Sequence, residues 1–150
     1  MASVRDIEVT EGAVPARQSL AAKAARPAAL VVGDACSFLI FAAVGRASHD
    51  EAAGLAAFFL VAQTAAPFAL GWYIVAPFFG VYRRANTSGV RRMLLRTALA
   101  WVCAWPVGLL LRGIFKSEIP PVSFAIVTLI ANLVFLGVWR GAFAWVAHRR

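Results

Sequence analysis

The sequence predicts an all-α polytopic integral membrane protein, four transmembrane helices in an up-down bundle with both termini cytoplasmic. Three observations lead there. Four long apolar stretches divide the chain. Of its 150 residues 61% are hydrophobic and 15% charged, where an ordinary soluble domain carries about 25% charged residues. The Lys and Arg content of the segments between the stretches alternates high, low, high, low, high. Buried helices of soluble proteins reach this apolarity singly, but four in succession would leave almost no polar face to meet water.

The stretches run from Ala28 to Val44, Ala53 to Val81, Met93 to Phe115 and Pro121 to Val146. About 20 helical residues cross a hydrocarbon core of roughly 30 Å, so the third fits and the first is short. The second and fourth have length to spare for tilt, kinking or emergence into water. Residues 1–27 read as a flexible cytoplasmic tail, 28–147 as the transmembrane domain and 148–150 as a basic cytoplasmic end. A short surface helix from Ala16 to Ala25 would stop before Pro27, because a residue preceding proline disfavours the α region. Asp6, Glu8 and Glu11 do not fit the leader of a cleavable signal peptide, and Asp34 breaks the apolar run that a lipoprotein cysteine at Cys36 would require.

The joints carry helix punctuation. Ser48, His49, Asp50 and Glu51 match the S-x-x-E capping box, which starts the second helix at His49. Asn86 to Gly89 supply a turn, with Thr87 or Ser88 as N-cap of the third helix. Pro120 and Pro121 fall in the first turn of the fourth, where a missing N–H costs little. Pro67, Pro77 and Pro106 lie within spans, where each removes a backbone hydrogen bond and a kink is expected.

Orientation follows from the basic residues. Arg5, Arg17, Lys23 and Arg26 precede the first span; Arg83, Arg84, Arg91, Arg92 and Arg96 follow the second; Arg140, Arg149 and Arg150 close the chain. Against these twelve, the first loop carries only Arg46 and the third only Arg112 and Lys116. The positive-inside rule then places both termini and the second loop in the cytoplasm. A net charge of +8 is a feature shared with nucleic-acid binders, but charges at membrane boundaries fit anionic lipid headgroups, and no nucleic-acid partner is expected.

Catalytic motifs are missing: there is no G-x-S-x-G, P-loop, HExxH or dinucleotide fingerprint. Cys36 and Cys103 lack a CxxC partner and read as buried structural thiols, while His49 and His148 stand at opposite membrane faces. No enzyme activity, cofactor or metal is therefore expected. Attention falls on the polar minority inside the spans, where an ionisable residue is a functional candidate by default. Asp34, Arg96 and Arg140 share one layer near the cytoplasmic face, where the carboxylate can meet a guanidinium. Such a group serves either as a relay at the mouth of a pathway or as an ion pair fixing helix register. The structural reading is preferred, because pairing favours the charged form of a carboxylate and makes it a poor proton carrier.

Gln63 and Asn132 lie near mid-membrane at matching depth and are expected to meet as interhelical glue, with Thr64 and Thr128 close by. At the outer face Arg46, His49, Asp50 and Glu51 stand opposite Arg112, Lys116 and Glu118, where a solvated charge cluster is expected. Trp101, Trp105, Trp139 and Trp145 divide between packing and interfacial anchoring. Gly33 with Ser37 and Gly137 with Gly141 form two small-xxx-small faces for helix association.

Gly33-Asp34 in the first span, Gly45-Arg46-Ala47-Ser48-His49 at its end, Pro67-Phe68 with Gly71-Trp72 in the second span and Trp139-Arg140-Gly141 near the close resemble the domain of unknown function family 3054. The likeness covers about residues 28 to 146. It implies a small four-helix bacterial membrane protein, multi-pass in the cytoplasmic membrane, and carries no assigned activity. The leading expectation is a non-enzymatic accessory or assembly protein, working as a homo-oligomer or with a membrane-complex partner. The alternative is a small proton-, ion- or solute-conducting transporter or channel acting as an oligomer.

Overall fold

Four long helices form where the apolar stretches predict them. The computed structural model describes residues 13–47, 55–87 and 89–149. Helix α1 spans Ala13–Ala47, α2 Leu55–Val75, α3 Val90–Lys116 and α4 Val122–Arg149. Each contains a segment long and apolar enough to cross a membrane: Ala25–Arg46, Ala56–Phe79, Val90–Lys116 and Val122–Ala147. No strand occurs among the described residues.

The boundaries depart from expectation at the prolines. Helix α1 does not break before Pro27 but runs through it. That proline sits near the end of its span, where water can satisfy the carbonyl it frees. Pro67 and Pro106 are likewise carried inside α2 and α3. Pro77 behaves differently: α2 stops at Val75 and the chain tightens into a 3₁₀ turn over Ala76–Phe79, with proline in its first positions. Gly80 ends the turn in the left-handed region at φ 61°, a conformation open to glycine without a Cβ penalty, and donates its N–H to the Pro77 carbonyl at 2.9 Å. Asn86 then donates its side-chain amide to the Gly80 carbonyl at 2.9 Å. Extended Gly89 (φ −136°, ψ 132°) takes the N-cap position of α3, expected at Thr87 or Ser88, without a side-chain bond; Ser88 lies outside the described residues. Pro120 and Pro121 precede α4 rather than opening it, and the Pro121 carbonyl accepts its first helical hydrogen bond, from Ala125, at 3.0 Å. The proposed Ser48–Glu51 capping box lies outside the described residues.

The helices close a ring in which α1 packs on α2 and α4, and α3 packs on α2 and α4. Inward residues recur at helical spacing: Leu30, Asp34 and Phe38 on α1; Ala65, Phe68 and Trp72 on α2; Met93, Thr97 and Trp101 on α3; Thr128, Asn132, Leu136, Arg140 and Ala144 on α4. Trp101 centres an aromatic core, with ring centroids 5.5 Å from Phe38, 6.4 Å from Phe68 and 6.5 Å from Trp72. Its indole N–H is satisfied by the Leu129 carbonyl at 2.9 Å, and that of Trp105 by Ala125 at 3.0 Å. A lone N–H in so apolar an interior would otherwise carry a desolvation cost.

The outer surface is also apolar. Only 17% to 33% of each candidate span is buried, and Val32, Phe59, Leu110 and Val138 are each more than 60% exposed. An apolar belt of this extent marks contact with lipid or other helices. Cys36 and Cys103, expected to be buried, face outward. The small-residue faces are occupied within the chain. A side chain at Gly33 would run into the Trp139 ring, while Gly137 and Gly141 lie against Leu94.

The backbones of α2 and α3 approach closely at Gly71 and Gly108. A Cβ at Gly71 would lie 2.8 Å from the Gly108 nitrogen and 3.0 Å from the Ala104 carbonyl oxygen, neither able to yield as a flexible side chain would. Gly71→Ala should therefore destabilise the bundle by about 1–3 kcal/mol through overpacking. Gly137→Ala, whose Cβ would meet Leu94 at an ordinary 4.0 Å, should be neutral or stabilising by up to about 1 kcal/mol through reduced chain entropy. Thermal unfolding of the two variants in one detergent measures the contrast.

Candidate functional site

Asp34 and Arg140 form a fully buried ion pair between the first and last helices, both 0% exposed. Helical spacing explains their meeting. On α1, Asp34 stands one turn from Leu30 and one from Phe38; on α4, Arg140 stands one turn from Ala144 and one from Leu136. The charges therefore lie between two apolar layers. Phe38 and Leu136 belong to the main core, and Leu30, Ala144 and Met93 pack together on the other side.

The geometry is bidentate. Arg140 Nε donates to Asp34 Oδ1 at 2.8 Å and Nη2 to Oδ2 at 2.6 Å. Arg140 Nη1 donates to the Val81 carbonyl at 3.2 Å, so three guanidinium nitrogens have acceptors. Oδ2 also accepts from Trp72 Nε1 and from the Tyr82 hydroxyl, each at 3.0 Å. Trp72 Nε1 lies 3.1 Å from the Tyr82 oxygen, making its hydrogen bond bifurcated. The guanidinium carbon is 5.1 Å from the ring centroids of both Trp72 and Tyr82, within cation–π range. Burial, and then the neighbouring Asp34 carboxylate, push the Tyr82 phenol above its ordinary value of 10.0. It therefore stays protonated as a donor at physiological pH.

Two charges taken out of water recover the loss only with good geometry and further hydrogen bonds. Both conditions are met here. The site has no nucleophile beside a base and no solvent access to either charge, so its chemistry is to hold three elements together: α1, α4 and the segment from Trp72 to Tyr82.

Arg96, the other candidate partner, does not reach Asp34. It is exposed and donates to the Phe79 carbonyl at 2.9 Å, tying the start of α3 to the 3₁₀ turn. Gln63 and Asn132 do not meet either. Gln63 lies on the outward side of α2 and accepts from Lys116 at 3.2 Å. Asn132 is buried and donates to Thr128 of its own helix at 3.0 Å, with no partner for its Oδ1. Thr64 likewise donates to a carbonyl of its own helix, Leu60. At the opposite end Arg46 and Arg112 line a common cavity, while His49 and Asp50 lie outside the described residues.

Sequence reasoning missed Trp72 and Tyr82 as site residues. The available signal was an indole and a phenol in or beside an apolar span, each a donor that needs an acceptor once buried. Asp34 was the unclaimed acceptor, 38 and 48 residues away.

Among comparisons with known proteins, the family model described as "Protein of unknown function (DUF3054)" matches residues 31–143, a segment that contains both partners of the ion pair. No curated protein and no solved structure matches the chain.

The network assigns the partner of Asp34, and so the outcome of substitution. Asp34→Asn or Arg140→Gln alone should cost about 3–5 kcal/mol, the range for breaking a buried pair. The apolar double change Asp34→Leu with Arg140→Met should recover most of that loss, whereas Arg96→Gln combined with Asp34→Asn should recover none. Unfolding midpoints in detergent would separate these outcomes.

Proposed function

Because the chain belongs to the DUF3054 family, whose description assigns no activity, we propose from its geometry a non-enzymatic accessory or assembly protein of the bacterial cytoplasmic membrane. It is integral and multi-pass, an up-down bundle with both termini and the second loop cytoplasmic. The observation that carries this reading is the saturation of Asp34. Its two oxygens accept four hydrogen bonds, from Arg140 Nε, Arg140 Nη2, Trp72 and Tyr82. A carboxylate so enclosed serves as a brace and not as a carrier, and the work of the protein then falls to its outward faces. Those faces are apolar along the helices and basic at the cytoplasmic ends, suited to a second copy or another membrane subunit within a layer of anionic headgroups.

The competing reading is conduction through an oligomer. In its proton-relay form it requires a carboxylate accessible from water, and Asp34 at 0% exposure does not offer one. Copurification from native membranes in mild detergent tests the proposal: a stoichiometric protein partner or a defined homo-oligomer is expected. A monomer with nothing retained, together with a proton or ion flux in proteoliposomes that Asp34→Asn abolishes without loss of stability, would overturn it.

Topology is tested separately. Single cysteines at Ser88 and Ser117, in a background lacking Cys36 and Cys103, should label from opposite sides with an impermeant thiol reagent. Labelling from one side would refute the four-span arrangement.

A further inference from the structure

At the end of the bundle remote from Asp34, a cavity of about 470 Å³ opens among all four helices. Its walls include Arg46 near the end of α1, Thr64 of α2, Arg112 near the end of α3 and Ser123 in the first turn of α4. Phe41 and Phe124 supply apolar wall. Arg112 lies over the Phe124 ring, 4.1 Å from its centroid, which holds the guanidinium against one side. Glu118, the acid that acts on Arg112, lines the neighbouring groove and not this cavity.

Two guanidiniums from different helices thus line one cavity, each a fork of donors suited to oxyanions. The first turn of α4 borders it at Ser123 and Phe124, where the first backbone N–H groups of the helix lack intrahelical acceptors; their positive helix end is set against the negative end of α1, whose last turn supplies Gly45 and Arg46. The first helical hydrogen bond in α4 begins only at the Ala125 nitrogen. Arg46 has further contacts of its own, and an anion would add to them rather than replace a missing partner. A flat carboxylate presents its oxygens in one plane, whereas donors arriving from three helices suit a tetrahedral anion.

We infer that this cavity binds a phosphate-type oxyanion, supplied either by a phospholipid headgroup entering from the bilayer or by a small free phosphate entering from water. The inference goes beyond the accessory role and uses the membrane reading only for the first source. Phe41 and Phe124 give the first source an apolar wall for the part of the lipid next to its headgroup.

The test uses the full chain in a neutral detergent. One arm adds inorganic phosphate against chloride at equal ionic strength; the other adds phosphatidylglycerol against phosphatidylcholine. Unfolding midpoints and native mass spectra of retained lipid are the readouts. Wild type should be stabilised in one arm, and the responsive arm identifies the source. Arg112→Gln should weaken the response about tenfold or more, the scale of a lost charged hydrogen bond. Gly45→Leu provides a second variant that leaves the arginines intact, since Gly45 lines the cavity and a Cβ there meets nothing within 4 Å. It too should reduce binding about tenfold or more. Arg91→Gln with Arg92→Gln, at the opposite end of the bundle, should leave the response unchanged. No response in wild type to either probe, or a response that survives both Arg112→Gln and Gly45→Leu, would overturn the inference.

Discussion

A carboxylate and a guanidinium can share an apolar interior only if each satisfies the other, and in this bundle that requirement fixes where the first and last helices meet. Asp34 and Arg140 are 106 residues apart in sequence and meet in two hydrogen bonds. Their neighbours in the chain make the approach close enough. Gly33 leaves room for the Trp139 ring against α1, and each of these residues adjoins a member of the pair. The remaining hydrogen bonds draw in the segment from Trp72 to Tyr82, so the 3₁₀ turn at Pro77 becomes part of the same assembly.

The energetic role of such a pair is not simple addition. Buried ion pairs often contribute no more than well-packed apolar residues of the same volume. Helices that are apolar on every side face a different difficulty, because lipid tails are as apolar as leucine and give little preference for one helix face over another. Aromatic packing around Trp101 stabilises association but tolerates rotation and sliding more readily than a bidentate pair does. Under these conditions a directional interaction selects the register. Its value lies in the alternatives it disfavours: a slip that parts Asp34 from Arg140 within the apolar interior leaves each charge without its counter-charge.

The number of long apolar helices and their approximate limits were legible because they depend on hydrophobicity summed over many residues. The Asp34 site was half legible. A lone carboxylate in an apolar run announces that it needs a partner, and helical rise placed both Arg96 and Arg140 at the right depth. Depth alone does not give the direction a side chain faces, and the helices carry no polar side to reveal it. Arg96 turned outward to Phe79 and Arg140 inward. The same gap separates Gln63 from Asn132: Gln63 is exposed and accepts from Lys116, while Asn132 is buried and donates within its own helix. Trp72 and Tyr82 were harder still, since their role depends on a turn whose geometry follows from Pro77 and Gly80 together. Pro27 misled in the other direction, because the local bias against helix before a proline was overridden by a helix continuing on both sides.

The two ends of the bundle handle charge in opposite ways. Around Asp34 one acid and one base cancel, aromatic donors complete the shell, and Leu30, Met93 and Ala144 pack over the layer. Around Arg112 the cavity walls bring two cations together beside the first turn of α4, with no acid among the described residues that line them. The first arrangement is complete in itself and resists solvent; the second leaves an open cavity between its guanidiniums, the one inferred above to take a phosphate-type oxyanion. Because the same four helices build both ends, the closed layer supports the open one: by holding α1 to α4 at Asp34 and Arg140, it fixes the spacing with which Arg46 and Ser123 are presented several turns away.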